Sequence, residues 1–274
     1  MKSMSEQTVS VLGCGWLGLP LARQLIKMGY AVNGSTTSQD KMAALAKAGI
    51  RPFCLKADPF ISGKDNKLFF QADTVFLNIP FRRNLKNPDY YRQQIESIVA
   101  QIEASPVRFV LFASSTSVYP ATLAHATEDA VFEPDNARSA TLLVVERLLM
   151  ENQKFDTTVL RFAGLYGGER NIGRILEGRT GVPDPDAPAN LIHLDDCVAL
   201  AVHIIRQDVR GEIFNACSDG HPMRKELYTK AARHYGFKPP QFAARPQSRF
   251  KVVDNSKIKS RLNFSFRHPD PLEF

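Results

Sequence analysis

This chain of 274 residues is short of the features that mark secreted, metal-clustered or membrane proteins. It has four cysteines, Cys14, Cys54, Cys197 and Cys217, and none falls in a CxxC pair or at Cys/His ligand spacing. That excludes a disulfide framework and a zinc-cluster motif, and it fits thiols kept reduced in the cytoplasm. No apolar run approaches the length of a membrane span, and the first residues, MKSMSEQ, hold no apolar stretch of the kind a secretory leader needs. There is no internal repeat, no low-complexity tract, and no RNP, helix-turn-helix or zinc-finger pattern to suggest nucleic acid. The expected protein is soluble and cytoplasmic, with no metal, no nucleic-acid partner and no membrane partner.

Charge is also missing from most of the chain. The net charge is +7, yet residues 221–274 carry twelve Lys/Arg against four Asp/Glu, which leaves the first 220 residues at −1. A basic tail of this kind reads as a solvated surface, or as a landing surface for an anionic small-molecule substrate.

What the chain does have is concentrated near its start. A short strand, Thr8–Leu12, runs directly into Gly13, Cys14, Gly15, Trp16, Leu17 and Gly18, and a helix follows with apolar residues at Leu17, Leu21, Leu25 and Met28. A GxGxxG turn between a strand and a helix is a phosphate-binding device. The first glycine makes the tight turn, the second lets a pyrophosphate approach the backbone, and the third lets helix and strand lie close. The helix start then presents unpaired N–H groups and the positive end of its dipole to the phosphates. All six loop residues are therefore candidate dinucleotide contacts.

Strand-like and helix-like segments then alternate. Strands are expected at Ala31–Thr36, 52–55, 74–79, 108–113 and 157–162, with helices near Met42, over Asp89–Glu103 and over 139–152. This pattern predicts an α/β fold, a Rossmann-type doubly wound parallel sheet. Beyond residue 167 the pattern loosens into a Gly/Pro-rich loop at 178–188, helices at 195–206 and 225–235, a strand at 212–216 and a short helix at Ser256–Leu262. The expected organisation is a core over 1–167 and a small C-terminal substrate cap over 168–274, interleaved with the core as one folding unit. The second strand ends in Ser35, Thr36 and Thr37 with no acid until Asp40, and Lys41 follows. Without an acid to hold a ribose 2′-hydroxyl, and with hydroxyls available for a 2′-phosphate, NADP is favoured over NAD.

The segment 114–120, SSTSVYP, resembles the extended short-chain dehydrogenases/reductases, the superfamily of NAD(P)-dependent epimerases and dehydratases. Further matches follow in the family's order: RFAGLYG at 161–167, NLIHLDD at 190–196, GEIFN at 211–215, and Asp58 where the family's adenine-contacting acid follows strand three. The resemblance implies cofactor contacts from Ile79 and Pro80 as well, a catalytic Ser/Thr at Ser115 and Thr116, and a homodimer packed through the long helices. The family's Tyr-x-x-x-Lys pair is missing. Aligned on Glu146, Arg138 stands at the tyrosine and Leu142 at the lysine, and an alternative frame places Ser139 and Leu143 there. This combination resembles the atypical, YeeZ-like subgroup. Two readings stay open. One is an oxidoreductase or epimerase acting on a nucleotide sugar or a small carbonyl or hydroxyl compound, with Tyr166 as substitute acid and Arg138 as the cation. The other is an inactive dinucleotide-binding sensor that regulates a partner.

Overall fold

The computed structural model describes residues 7–81, 87, 89–244 and 250–274. Residues 1–6 of the N-terminal segment considered above, and Arg245 and Arg249 of the basic tail, lie outside these residues.

The strands are β1 (Thr8–Leu12), β2 (Ala31–Thr36), β3 (Arg51–Cys54), β4 (Lys56–Ala57), β5 (Ile61–Ser62), β6 (Thr74–Leu77), β7 (Phe109–Ser115), β8 (His125–Ala126), β9 (Asp156–Phe162), β10 (Gly164–Tyr166), β11 (Leu191–His193), β12 (Ile213–Ala216) and β13 (Val252–Val253). The α-helices are α1 (Gly18–Lys27), α2 (Met42–Lys47), α3 (Asn66–Phe69), α4 (Asp89–Glu103), α5 (Ala137–Met150), α6 (Leu194–Gln207), α7 (Arg224–His234) and α8 (Ser256–Leu262). Seven strands form one sheet in the order β12-β9-β7-β6-β1-β2-β3. β1 pairs parallel with β2 and β6, β2 with β3, and β6 with β7. The order reverses at β1, so a crevice opens beyond its carboxyl end, where doubly wound sheets bind ligands. This is the Rossmann-type α/β fold that the alternating pattern predicts.

Local chemistry explains the elements that carry the site. The strands are near-continuous apolar runs because helices cover both faces of a parallel sheet. Val9, Val11, Val75, Phe76 and Leu77 are fully buried. In α1, Leu21, Ala22 and Leu25 fall on one buried face, and Pro20 sits in the first turn, where its missing N–H costs no helical bond. α5 starts on a capping box. Asn136 accepts from the Ser139 N–H at 2.9 Å, and the Ser139 hydroxyl accepts from the Asn136 N–H at 3.3 Å. That reciprocal pair is why the helix begins at Ala137, two residues before the start expected from periodicity.

The described chain forms two compact units that interleave. One runs through Ser114 and includes Asn136–Leu160 and Leu200–Ile213. The other comprises Ser115–Asp135, Arg161–Ala199 and Phe214–Phe274. Among the described residues, no helix is long and apolar enough to cross a membrane.

Candidate functional site

In the first unit the glycine loop is held from two sides. The Gly13 N–H donates to the Ser35 hydroxyl at 2.8 Å, and the Cys14 N–H donates to the Ser35 carbonyl at 2.8 Å. On the other side, Asn78 Nδ2 donates to the Gly13 carbonyl at 3.1 Å. The three glycines have different reasons to be glycine. Gly13 adopts φ +106°, and a Cβ there would stand 2.5 Å from the Asn78 carbonyl oxygen. A Cβ on Gly18 would stand 2.1 Å from the Gly13 oxygen. Gly15 meets nothing within 4 Å, so its missing side chain faces open space. The helix behind the loop has no side-chain cap: Leu17 holds the N-cap position and makes no cap bond, and no acid stands in the first turn. Its positive end is therefore available to an anion.

That open space is a cavity of about 510 Å³, of the size that binds small ligands. Gly13, Cys14 and Gly15 line its floor. At the β2 end, Ser35, Thr36 and Thr37 border it together with Lys41 and Lys56. Leu55, Asp58, Ile61, Ile79, Pro80 and Tyr90 also line the cavity. Leu17 and Gly18 are buried in the packing beneath the loop, and Trp16 is half-buried beside it. Ser35 differs from the two threonines that follow it. It is buried, and its hydroxyl is engaged in holding the loop, whereas Thr37 and Lys41 are exposed. Asp58 accepts a hydrogen bond from the Tyr90 hydroxyl. Burial pushes the Cys14 thiol up to about 12, against a smaller lowering from its backbone bond at Ser35, so the thiol stays neutral. The residues present fit a dinucleotide: a loop a phosphate can approach, an open helix start, hydroxyls and two amines around the end of β2, and apolar side chains of Leu55, Ile61, Ile79 and Pro80 in the lining.

In the same unit the Arg138 guanidinium donates to the Phe81 carbonyl and lies 4.2 Å over the Phe81 ring, which stacks on Tyr91 at 4.3 Å. Ser139 is the capping partner of Asn136, and Leu142 is buried. No tyrosine–lysine pair replaces the missing one on this helix.

The second unit holds the remaining candidates. Ser115 caps the short turn that follows β7 by accepting the Ser117 N–H at 3.1 Å, and Thr116 is buried. Tyr119 is buried. Its hydroxyl donates to Asn215 Oδ1 at 2.8 Å and accepts from Arg161 at 2.7 Å. Tyr166 is also buried, and its hydroxyl has no hydrogen-bond partner among the described residues. Burial first, then Asp196 and Asp270, push its pKa upward.

Lys251 escaped the sequence reading. Its amine donates to the Thr116 carbonyl at 3.0 Å and to the Tyr119 carbonyl at 2.6 Å, across 135 and 132 residues of chain. Burial lowers its pKa, with Asp135 opposing the shift. Also unforeseen is a cluster of His193, Asp195 and His268. No local spacing announces either, because each joins segments far apart in the chain.

The fold and the loop together define a Rossmann-type α/β protein with a glycine-rich turn between β1 and α1. Residues 8–120 match the family described as the NAD binding domain of 6-phosphogluconate dehydrogenase. Protein YeeZ of Escherichia coli (strain K12) is 33% identical over 96% of this chain and 97% of its own. The chain belongs to the YeeZ family. A short-chain dehydrogenase/reductase superfamily protein from Agrobacterium tumefaciens, solved with bound NAD, superimposes with a TM-score of 0.77 at 18% identity, over 95% of this chain and 92% of the other. UDP-glucuronic acid 4-epimerase from Bacillus cereus, in complex with NAD, gives 0.73 at 19% identity over 97% and 96%.

Proposed function

We propose that this protein is an NADP-dependent oxidoreductase or epimerase acting on a small carbonyl or hydroxyl compound, with an acid/base group other than the Tyr-x-x-x-Lys pair. The observation that carries the reading is the combination at one cavity of an open Gly15 with Thr36, Thr37, Lys41 and Lys56 at the β2 end. Gly15 admits the pyrophosphate. Thr37 and Lys41, exposed and of suitable chemistry, take the 2′-phosphate, and Lys56 adds a second positive charge. When bound, the cofactor supplies the hydride chemistry.

The protein's own part in acid/base work falls to the SSTSVY segment. Ser115 offers a hydroxyl to a substrate oxygen. The Lys251 amine is anchored by two carbonyls of that segment, and its third donor has no partner among the described residues. A partly desolvated amine is readier to give up a proton than a surface lysine, and while protonated it stabilises developing negative charge. A nucleotide-linked sugar, the kind of substrate named for the Bacillus cereus epimerase, is the first class to test.

The test is a titration of Trp16 fluorescence with NADPH and NADH, followed by a substrate screen. Indole emission overlaps the absorption of reduced nicotinamide, so binding beside the loop quenches it. Tighter binding of NADPH, reversed or abolished in Lys41→Glu, supports the cofactor reading; equal binding of both in wild type and Lys41→Glu refutes it. Lys251→Met abolishes turnover of any active substrate with cofactor binding intact, and Lys251→Arg keeps the charge but cannot give up a proton near neutral pH.

One observation favours the second reading, a cofactor-binding sensor without turnover. Neither substitute read from the sequence is set up for proton transfer: burial, Asp196 and Asp270 push the Tyr166 pKa upward, and Arg138 is engaged with Phe81. Cofactor binding without turnover in a broad carbonyl screen, together with wild-type binding in Lys251→Met, selects that reading.

A further inference from the structure

The second unit contains a convergence of side chains that the dinucleotide chemistry does not use. His193 ends β11, Asp195 stands in the first turn of α6, and His268 lies in the C-terminal segment. Asp195 Oδ2 is 3.6 Å from His193 Nδ1 and 3.4 Å from His268 Nε2. The two imidazole rings are 3.7 Å apart between centroids. One ligand atom from each residue lies within 4.8 Å of the other two.

We propose that His193, Asp195 and His268 bind a divalent first-row transition-metal ion of the zinc type, through two imidazole nitrogens and one carboxylate oxygen.

Geometry, chemistry and the supports of the three residues carry the proposal. In a tetrahedral site with bonds of about 2.1 Å, ligand atoms stand about 3.4 Å apart. The two distances to Asp195 match that edge, and the imidazole rings, 3.7 Å apart between centroids, splay apart for both nitrogens to reach one ion. Two imidazoles and a carboxylate are a borderline donor set that suits zinc, cobalt or iron(II) and not a hard ion such as calcium. With three protein ligands, one position stays open for water or a substrate oxygen, as in metal sites that do chemistry.

The cluster is also built, in the sense that its members are held before any ion arrives. The buried carboxylate of Asp196 accepts the backbone N–H groups of Arg267 at 2.7 Å and His268 at 3.0 Å, which fastens the tail where His268 meets His193. The Gly220 N–H donates to the Pro269 carbonyl at 2.8 Å and fixes the tail on its other side. The His193 ring packs on Gly167, where a Cβ would stand 2.3 Å from Nε2, and against the edge of Tyr166 at 5.1 Å between centroids. Supports of this kind orient metal ligands. Two interactions oppose the ion. The Asp195 N–H donates to His193 Nδ1 at 3.2 Å, a long bond that coordination replaces. The positive end of α6 is offset by the two carboxylates of its first turn.

The test uses the full-length protein, stripped with a chelator and titrated with Zn²⁺ by calorimetry and with Co²⁺ by visible absorption. One equivalent bound, with the intense visible bands of tetrahedral Co²⁺, is expected. Asp195→Asn and His268→Gln should each weaken Zn²⁺ by about 10-fold or more. Asp195 is half exposed, so its variant folds. Circular dichroism and the metal-free melting point confirm this for both variants. Zn²⁺ should raise the wild-type melting point and leave that of the variants in place. Absence of stoichiometric binding overturns the proposal. So does unchanged affinity in both folded variants, which places the ion on other residues. Neither result bears on cofactor binding at the glycine loop, whose residues are untouched.

Discussion

Gly15 and Gly18 share one motif, yet substituting them should have opposite effects. In Gly18→Ala the new methyl would stand 2.1 Å from the Gly13 carbonyl oxygen and 3.1 Å from Val11 Cγ1. The first overlap exceeds an ångström against backbone. That backbone cannot yield easily, because Ser35 and Asn78 hold the loop from two sides. Overpacking of this kind costs about 1–3 kcal/mol. For a chain of this size each kcal/mol lowers the melting point by about 2–4 °C, so a fall of about 2–12 °C is expected. In Gly15→Ala the methyl enters open space at a backbone that is not left-handed. The folded protein should tolerate it, and loss of unfolded-state freedom stabilises by about 0.4–1 kcal/mol. The same methyl stands in the path of a phosphate. Losing one charge-assisted hydrogen bond, about 1.5–3 kcal/mol, weakens binding by about 10- to 150-fold. Thermal melts and NADPH titrations of Trp16 fluorescence on both variants separate the two effects. Wild-type NADPH affinity in Gly15→Ala would show that phosphate does not pass this glycine. An unshifted melting point in Gly18→Ala would refute the packing argument.

Other perturbations have equally definite outcomes. Tyr119→Phe leaves Asn215 Oδ1 and an Arg161 N–H without the hydroxyl they share, and should cost about 1–3 kcal/mol in urea denaturation; an unmoved midpoint contradicts the network. His221 has a lowered pKa, from burial first, with Asp219 and Asp254 opposing. The folded state thus binds its proton less readily than the unfolded chain. The stability it contributes is complete above the unfolded value of about 6.5 and is lost as pH falls through the lowered folded value. His221→Gln should flatten that part of the stability–pH curve, and an unchanged slope assigns it to other groups. Cys14 lines the cavity yet should resist alkylation at pH 8, because only about one thiol in 10,000 is ionised when the pKa is near 12. Rapid labelling there, blocked by NADPH, would show the thiol to be activated.

Much of the fold was legible because its information is local. The β1–loop–α1 unit, the alternation of strands and helices and the α8 span follow from glycine chemistry and apolar periodicity within a few residues. Boundaries shifted where a local contact overrides periodicity. α5 begins at Ala137 because Asn136 and Ser139 cap it. The lining of the candidate cavity was legible in part. Thr36, Thr37, Asp58, Ile79 and Pro80 border the same cavity as Gly13 and Gly15. Ser35 showed what a hydroxyl pattern cannot convey: its oxygen faces the Gly13 N–H, and residue type alone carries no direction. Lys56, Tyr90 and Gln94 reach the cavity from neighbouring elements through tertiary packing. Lys251 and His268 were beyond reach, since their partners lie 132 and 73 residues away and nothing in their own neighbourhoods marks them. The basic tail is similar. Lys259 pairs with Asp219, and Lys230 reaches the Leu272 carbonyl, so part of its charge has structural partners.

The interleaving of the two units bears on how the protein can be made. The chain passes from one unit to the other after Ser114, Asp135, Leu160, Ala199 and Ile213. Everything needed for the glycine loop is synthesised within the first hundred residues, yet its unit also needs Leu200–Ile213. At about 5–20 residues per second, a ribosome leaves that unit incomplete for several seconds after the loop has emerged. During that interval the exposed edge of a growing parallel sheet has no final neighbour, which is when a chaperone has most to bind. The same threading means that a fragment cut after residue 167 carries the whole phosphate loop and still lacks part of the unit that supports it.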